Sequence, residues 1–366
     1  MKPGAELPLE ITDVAYGGAG IARHEGRVVF IPFTIPGETV RARITKVHRS
    51  WMGADAVEIT RPSPDRVQAP CPRFTKCGGC AYQHIAYPRQ LEIKTRQVTE
   101  ALRRIGKLTD PPVEPAKASP QDYGYRNRIT VHVDPPAIGF RGTDPRRLVD
   151  IRQCLLAGEA VNEALVRLRS KKYLRPGPAT LRTDPEHTGF RQVNDAAAEV
   201  LAAVVAEMAG RGGILVDAYC GAGFFARKLK ASFDRVIGID WDERSAGAAR
   251  DQAEPSELYL TGDIAELLSG ILAEHKPSTV LLDPPAQGVD QAVIAALLET
   301  PVERLVYVSC DPATLARDIA KLSARYTLKR AAPVDMFPQT ASIETATLLE
   351  REHGRTGPHE LLSPVS

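Results

Sequence analysis

The sequence has no long apolar run. No stretch reaches the roughly 18 residues that a membrane-spanning helix needs, and residues 1–13 contain no signal-peptide core. Aromatic residues make up only 6% of the 366 residues, and there are only six cysteines. The remaining composition excludes collagen-like, disordered and disulfide-framework chains. We therefore expect a soluble cytoplasmic protein of two or three domains, in which clustered cysteines bind metal or catalyse rather than form disulfides.

Charge is unevenly distributed along the chain. The net charge is only +2, but residues 1–190 hold 30 Lys and Arg against 20 Asp and Glu, whereas residues 191–366 hold 17 against 25. A basic front half joined to an acidic back half indicates that the front half meets a polyanion such as nucleic acid. Drift of surface charge is the alternative interpretation.

Residues 1–62 predict a small β-barrel. Five short segments rich in Val, Ile and Thr are separated by turn residues, at positions 7–15, 20–24, 27–31, 38–48 and 54–60. Barrels of this size often bind oligonucleotides. The cationic side chains and the tryptophan of its later part would suit an RNA backbone and a stacked base, namely Arg41, Arg43, Lys46, Arg49 and Trp51. A barrel without a ligand is the alternative.

The rest of the chain divides into two further parts. Residues 63–189 predict an irregular α+β domain with one helix over 88–105, one strand over 128–133 and four of the six cysteines. Residues 190–352 alternate between helical and apolar strand patterns, which predicts a parallel, doubly wound sheet of the Rossmann type. We expect the polar tail, residues 353–366, to be disordered.

A glycine turn follows the first predicted strand of the C-terminal part. The run Gly221-Ala222-Gly223 lacks the third glycine of the dinucleotide fingerprint, so a pyrophosphate is a poor fit. Three carboxylates end successive strands at the same predicted edge, namely Asp240, Asp263 and Asp283. Such a rim repels phosphates and favours a cofactor with an amino group and a sulfonium, which indicates S-adenosylmethionine. A Rossmann sheet with an unrelated ligand is the alternative.

Two further residues could carry chemistry. Cys310 ends a predicted strand, and the following Asp311-Pro312 is typical of a helix start, whose positive end would favour a thiolate. A buried structural cysteine is the alternative. Glu344 precedes the last predicted strand, and its spacing alone favours an ordinary surface glutamate.

These stretches resemble the RNA uracil-5-methyltransferases. The resemblance lies in V-S-C-D-P-A-T-L-A-R-D around Cys310, M-F-P-Q-T-A-S-I-E ending at Glu344, L-L-D-P-P around Asp283 and F-R-Q-V-N at 190–194, and residues 1–62 are similar to a TRAM domain. It implies that Cys310 adds to carbon 6 of uracil and that Glu344 removes the carbon 5 proton. The cofactor-binding residues that it implies are Gln192, Tyr219, Gly221, Asp240, Asp263 and Asp283.

The run C-P-R-F-T-K-C-G-G-C is similar to that family's iron–sulfur motif. The resemblance implies a 4Fe–4S cluster held by Cys71, Cys77, Cys80 and Cys154. Zinc is the alternative, although tetrathiolate zinc sites usually use two C-x₂-C-type pairs and only Cys77 and Cys80 form one here. The spacing of radical S-adenosylmethionine enzymes is absent, so we expect the cluster to be structural.

The sequence also departs from the family. Ala286 and Gln287 follow the two prolines where arginine is usual, Ser342 stands where histidine is common, and Asp240 replaces a glutamate. We expect a monomer that makes 5-methyluridine in structured RNA, with 23S ribosomal RNA favoured over uridine 54 of transfer RNA. The alternatives are an RNA-binding or RNA-folding protein with weak or lost catalysis and, less favoured, a different methyltransferase.

Overall fold

A computed structural model describes residues 1–184 and 191–352. The predictions for Phe190 and for the tail 353–366 lie outside the described residues. Within them, the chain forms three β-sheets of six, four and seven strands, with eight α-helices packed around the second and third. None of these helices combines the length and the apolar character that crossing a membrane requires.

The first sheet belongs to the N-terminal segment. Its strands are β1 (Glu6–Glu10), β2 (Asp13–Val14), β3 (Ala19–His24), β4 (Arg27–Pro32), β5 (Thr39–Val47) and β6 (Trp51–Arg61), in the order β1-β5-β6-β4-β3-β2. The predicted single strand over 7–15 is broken in two, because the backbone N–H of Ile11 donates to Glu38 and that of Thr12 to Ile21. Apolar side chains such as Val29, Ile31 and Val40 form the core of this sheet.

The predicted RNA-facing residues of this sheet have partners within the protein. Arg41 donates to Glu6 at 2.6 Å and to Glu58 at 3.0 Å, and Arg43 donates to Glu6 at 2.8 Å. The Trp51 ring stacks on His48, with 4.0 Å between the ring centroids. The positive charge expected from Arg41 and Arg43 is therefore largely compensated locally.

The central segment contains more regular structure than the sequence predicted. Besides α1 (Tyr87–Arg104) and β7 (Arg128–Asp134), it contains β8 (Ala137–Arg141), β9 (Leu148–Asp150), α2 (Glu159–Arg169) and β10 (Gly177–Arg182), with sheet order β10-β7-β8-β9. Val161 and Leu165 of α2 pack against Val131 in the core of this sheet. The prediction of an irregular segment is wrong because β8 and β9 are short and β10 contains Gly and Pro, which weaken the sequence signal for a strand.

The C-terminal segment has the predicted alternation. Its strands are β11 (Ile214–Ala218), β12 (Arg235–Asp240), β13 (Glu257–Thr261), β14 (Thr279–Leu282), β15 (Arg304–Ser309), β16 (Tyr326–Val334) and β17 (Glu344–Arg351). Its helices are α3 (Asp195–Ala209), α4 (Phe224–Leu229), α5 (Glu243–Arg250), α6 (Ile264–His275), α7 (Gln291–Glu299) and α8 (Pro312–Leu322).

The order of the seven strands determines which loops meet. The order is β13-β12-β11-β14-β15-β17-β16; β11 to β15 pair in parallel, whereas β17 is antiparallel to both of its neighbours. This confirms the Rossmann-like sheet. Because β17 runs in the opposite direction to β15, its first residue lies at the same edge as the last residues of the parallel strands.

Candidate active site

A cavity of about 990 Å³ opens at this edge of the seven-stranded sheet. Its lining includes seven of the eight residues predicted for catalysis and cofactor binding, namely Gln192, Tyr219, Gly221, Asp240, Asp283, Cys310 and Glu344. These positions are spread over more than 150 residues of sequence, and the sheet order brings them together. Ligands of open α/β sheets bind at this edge, beyond the carboxyl ends of the strands.

The glycine turn after β11 is held by its neighbours. The N–H groups of Tyr219 and Cys220 both donate to the carbonyl of Ile239 at 2.9 Å, and Gly221 N donates to the Asp240 carboxylate at 2.8 Å. Gly221 has a φ of 53° and Gly223 a φ of 79°, a left-handed backbone conformation that glycine adopts without strain. The turn thus places backbone close to the cavity and fixes the Asp240 carboxylate at its wall.

Asp283 lines the cavity, and the fully buried Asp217 lies near it. Burial raises the pKa of Asp283, directly after β14, to about 7. Burial, followed by the nearby Asp283, raises the pKa of Asp217 in β11 to about 8, although one of its oxygens accepts a hydrogen bond from Ala226 N. Asp217 was not among the individually predicted site residues, although it begins the stretch 217–223 that resembles the family's cofactor-binding loop.

Cys310 and Glu344 also line the cavity, and both lie near Asp283. Asp311 caps α8 as predicted, accepting from Thr314 N at 2.7 Å. The prediction that this helix end would favour the Cys310 thiolate is wrong, however. Burial, followed by the Glu344 and Asp283 carboxyls, raises the pKa of the thiol to about 11. These effects outweigh the positive helix end, so the resting group is a thiol at neutral pH.

Glu344 is a buried residue, not the ordinary surface glutamate that its spacing alone favoured. It is the first residue of β17, its exposed fraction is 7%, and its Oε2 has no hydrogen-bond partner among the described residues. Burial, followed by Asp283, raises its pKa well above the usual range. Such a carboxyl can accept a proton near neutral pH, as a general base must.

Asp263 lies apart from the other predicted residues. Its exposed carboxylate caps α6 by accepting from Ala265 N at 2.9 Å, and it does not belong to the cavity lining. The cavity is also lined by several residues for which the sequence predicted no individual role. They are Arg128, Arg191, Trp241 and Phe337, of which Trp241 has an exposed fraction of 74% and directly follows Asp240. Its position after a strand-end carboxylate was the signal available in the sequence.

Two of the departures from the family pattern also lie near this site. Ala286 lines the cavity. The backbone carbonyl of Gln287 accepts a hydrogen bond from Arg317 of α8 at 2.8 Å, so an arginine from another element reaches the stretch that follows the two prolines.

The four cysteines of the central segment share one region. All four are free thiols. Burial raises the pKa of Cys80 to about 12, and the Cys154 and Cys77 thiols lie near enough to raise it further. Gln83 accepts from the backbone N–H of Cys71 and hydrogen bonds with Cys80. Within residues 1–184 and 191–352, however, no three His, Cys, Asp or Glu side chains are arranged so that they could hold a metal ion.

Comparisons with known proteins agree with this geometry. The profile of the tRNA (uracil-5-)-methyltransferase family matches residues 263–352, and that of the TRAM domain matches residues 1–57. A protein of Gloeobacter violaceus, named as an uncharacterized RNA methyltransferase, is 32% identical, covering 96% of this chain and 99% of that protein. The alignment spans 451 positions, so this chain is the shorter of the two.

Two relatives have named substrates. The tRNA (uracil(54)-C(5))-methyltransferase of Schizosaccharomyces pombe is 29% identical, over 94% of this chain and 78% of that protein. The crystal structure of Pyrococcus abyssi tRNA (uracil-54, C5)-methyltransferase with S-adenosyl-L-homocysteine superposes with a TM-score of 0.70 and 23% identity, over 93% of this chain and 100% of that chain. The chain belongs to the RNA uracil-5-methyltransferases with a TRAM domain, enzymes that use S-adenosylmethionine.

Proposed function

We propose that this enzyme methylates carbon 5 of a uridine in a structured RNA through a covalent bond between Cys310 and carbon 6. The observation that carries the proposal is that Cys310 and Glu344 line one cavity together with the glycine turn and the carboxyl groups. A nucleophile and a base that lie near each other in one cavity can act on neighbouring carbons of one pyrimidine ring. Carbon 5 of uracil is a weak nucleophile, and addition of a thiolate to carbon 6 makes it enolate-like.

The thiol proton must leave Cys310 as the sulfur–carbon bond forms. Because burial and two carboxyl groups hold the pKa of Cys310 near 11, few free thiolates exist at neutral pH. Bound S-adenosylmethionine supplies the methyl group and carries positive charge. That charge would counter the carboxyl groups that raise the pKa of Cys310, so we infer that the thiolate forms more readily in the loaded site.

Glu344 acts in the second half of the reaction. Once carbon 5 carries both the methyl group and its original proton, a base must remove the proton so that the sulfur can leave carbon 6. The buried Glu344, whose pKa lies well above the usual range for a carboxyl group, suits this step. Its unpartnered oxygen leaves one lone pair free to accept the proton.

Six residues are proposed to hold the cofactor. They are Gln192, Tyr219, Gly221, Asp240, Asp263 and Asp283, and all except Asp263 line the cavity. Asp240 at the end of β12 suits ribose hydroxyls. Asp283 suits the cationic end, because a carboxylate at the bottom of a buried site gains a partner when a cation binds.

The proposal also concerns which RNA is the target. In the sequence, the barrel and the cysteine run favour 23S ribosomal RNA over uridine 54 of transfer RNA. The fold of the Pyrococcus abyssi tRNA enzyme matches this chain over 93% of its length, so the barrel alone does not separate the two targets. Ribosomal RNA is the first target to test and transfer RNA the second.

We also propose that Cys71, Cys77, Cys80 and Cys154 hold a structural 4Fe–4S cluster. Four free thiols in one region support it by their chemistry, although their side chains do not converge on a metal-binding arrangement. We derive no step of the reaction through the cluster. An anaerobic preparation should contain iron and acid-labile sulfide in equal amounts. Stoichiometric zinc, or no metal at all, would exclude the cluster.

The division of the chain into residues 1–62, 63–189 and 190–352 remains part of the proposal, with RNA binding assigned to the first two parts and catalysis to the third.

One experiment tests the activity and identifies the target. Total RNA from cells that lack the enzyme is incubated with the pure protein and methyl-labelled cofactor, and the labelled nucleoside and its position are then determined.

We expect 5-methyluridine at one position in one RNA. A label in a different nucleoside would overturn the assignment. RNA binding or annealing without any label would favour the RNA-binding or RNA-folding alternative.

A further inference from the structure

A second, smaller pocket lies beside the active-site cavity on the side of the barrel. Its volume is about 310 Å³, at the low end of the range for ligand pockets. Four parts of the chain form its walls, namely β2 with the turn after it, Ile21 of β3, the C-terminal half of α1 with Ile105, and the first residues of α8. Because α8 begins two residues after Cys310, this pocket directly adjoins the proposed nucleophile.

Tyr16 connects this pocket to the backbone of the proposed nucleophile. Its side chain lines the second pocket, and its hydroxyl donates to the backbone carbonyl of Cys310 at 3.3 Å. Tyr16 belongs to the turn between β2 and β3, so the barrel itself forms a wall next to the reaction site. The reaction described above does not use this residue.

The pocket leaves apolar surface uncovered. Tyr16 is 46% exposed and Ile105 at the end of α1 is 42% exposed, and both are among the few large apolar side chains of the described residues that are so exposed. An exposed aromatic ring beside a concave apolar surface is the arrangement on which nucleobases stack. The same surface continues past Ala313, the exposed second residue of α8.

A buried polar atom adds an independent indication. The amide nitrogen of Gln97 donates to the carbonyls of Val14 and Ala15 and contacts the Tyr82 hydroxyl, which fixes the orientation of the side chain. Its Oε1 is buried and has no hydrogen-bond partner among the described residues, and Gln97 lines the pocket. A buried acceptor without a donor is costly, so the site favours a ligand that brings an N–H group.

One exposed cation lies on the rim of the pocket. Arg104 lies at the end of α1 with 78% of its side chain exposed, and Glu100 is shared between Arg104 and Arg103. The charged side chains that line the pocket are two of each sign, Asp13, Arg96, Glu100 and Arg104, so the exposed Arg104 is the cation of the rim that can contact a phosphate. A flat ring with an N–H donor, attached to an anionic chain, has the chemistry of a nucleotide.

We propose that the second pocket receives a nucleobase close to the target uridine in the same RNA strand, so that the backbone crosses Tyr16 between the two spaces. The inference rests on the proposed methylation of RNA and extends it by a recognition subsite. Tyr16 supplies the stacking surface, Gln97 shifts so that its buried Oε1 accepts from the base, and Arg104 lies near the phosphates. The target uridine and its neighbour would then be held apart by one side chain.

The test compares four variants by the KM for RNA and the affinity for RNA, with total RNA from cells that lack the enzyme as the probe. Tyr16→Ala removes the ring, and Ala313→Trp fills the pocket from its exposed side. Tyr16→Phe keeps the ring and removes only the contact with Cys310. Tyr173→Ala is the matched control, because Tyr173 is 81% exposed and lies far along the chain after α2.

We expect Tyr16→Ala and Ala313→Trp to weaken RNA affinity and raise KM by about 5- to 100-fold, the range for losing one stacked base. Tyr173→Ala should stay within about twofold of the wild type, Tyr16→Phe should be impaired less than Tyr16→Ala, and the affinity for S-adenosylmethionine should be unchanged in all four. If Tyr16→Ala and Ala313→Trp both behave like the wild type, the pocket holds no base.

Two other outcomes would also overturn the inference. If Tyr16→Phe is as impaired as Tyr16→Ala while Ala313→Trp is unaffected, Tyr16 acts only as a positioning residue for Cys310. If RNA binding is unchanged but another molecule co-purifies in the pocket, the occupant is a metabolite or a protein segment. Failure of the wild-type enzyme to methylate any RNA would instead refute the proposed function, and the affinity comparison would still test the pocket.

Discussion

Lys94 and Asp335 form an ion pair at 2.7 Å in which both side chains are completely buried. Lys94 lies in α1 of the central segment, whereas Asp335 follows β16 in the C-terminal segment. Lys94 also donates to the carbonyl of Phe337 at 3.1 Å. One turn earlier, Gln90 exchanges two hydrogen bonds with Gln339. Helix α1 therefore holds the loop that leads to the proposed base, Glu344.

Replacing Lys94 alone should be strongly destabilising. Lys94→Met leaves the Asp335 carboxylate buried without a counter-ion, and we expect a loss of about 3–5 kcal/mol in the free energy of unfolding. The double variant Lys94→Met with Asp335→Asn should recover much of this loss. Urea denaturation measures both. Arg103→Met is the control, because Arg103 pairs with Glu100 at a half-exposed site and should change stability by well under 1 kcal/mol. If Lys94→Met lowers the free energy of unfolding by as little as Arg103→Met does, the buried ion pair does not stabilise the fold as expected.

Cys310→Ala should abolish methylation while leaving RNA affinity within about twofold, because the side chain makes the proposed bond to carbon 6 and is only half-buried. Methyl transfer from labelled cofactor and a gel-shift titration measure the two quantities. Cys220→Ala is the matched control, since Cys220 lines the cavity but is given no chemical role. Methylation by the Cys310→Ala variant at a tenth of the wild-type rate would refute the covalent mechanism.

Glu344→Gln should stop the reaction after methyl transfer. The amide has nearly the shape of the carboxyl group but cannot remove the carbon 5 proton, so the sulfur cannot leave. We expect a protein–RNA adduct that survives denaturing gels and disappears in the double variant with Cys310→Ala. Glu350→Gln on the same strand, whose side chain is partly exposed, should form no adduct. Product formation at the normal rate by Glu344→Gln would exclude Glu344 as the base.

Much of this site could be predicted from the sequence, but through different kinds of signal. The alternation of apolar strands and helices predicted the parallel sheet, and strand ends with Asp240 or Asp283 predicted the cofactor edge. Glu344 was identified by resemblance only, because spacing along the chain does not reveal that β17 is inserted between β15 and β16 in the antiparallel direction. Tyr16 is 294 residues from Cys310, and no local pattern encodes such a contact.

Asp217 should make stability depend on pH. Its pKa in the folded protein, about 8, lies above the ordinary value of 3.8, so the folded state binds the proton more tightly than the unfolded state. The stability that this provides is complete below about pH 4 and is lost as the pH rises towards 8, by at most about 1.4 kcal/mol per pH unit. Asp217→Asn, which keeps an acceptor for Ala226 N, removes this dependence.

We expect the melting temperature of Asp217→Asn to approach or fall slightly below that of the wild type at pH 5 and to exceed it at pH 8, when cofactor is absent. The exposed Asp251 provides the control, and Asp251→Asn should follow the wild type at both pH values. A constant difference between Asp217→Asn and the wild type from pH 5 to 8 would show that the Asp217 carboxyl does not titrate in this range.

The affinity for the positively charged cofactor should depend on the ionisation of Asp283. Because burial holds the pKa of this carboxyl near 7, the empty site is partly protonated at neutral pH, and a bound cation favours the ionised form. The affinity for S-adenosylmethionine should therefore rise with pH up to about 7 and level off above it. S-adenosylhomocysteine lacks the transferred methyl group and with it the sulfonium charge, so its affinity should depend less on pH. Calorimetric titration of both ligands between pH 5.5 and 8.5 gives the ratio of their dissociation constants. That ratio should change by up to about tenfold per pH unit below 7 in the wild type and stay constant in Asp283→Asn. If the affinities of the two ligands change with pH in parallel in the wild type, the sulfonium does not lie next to Asp283.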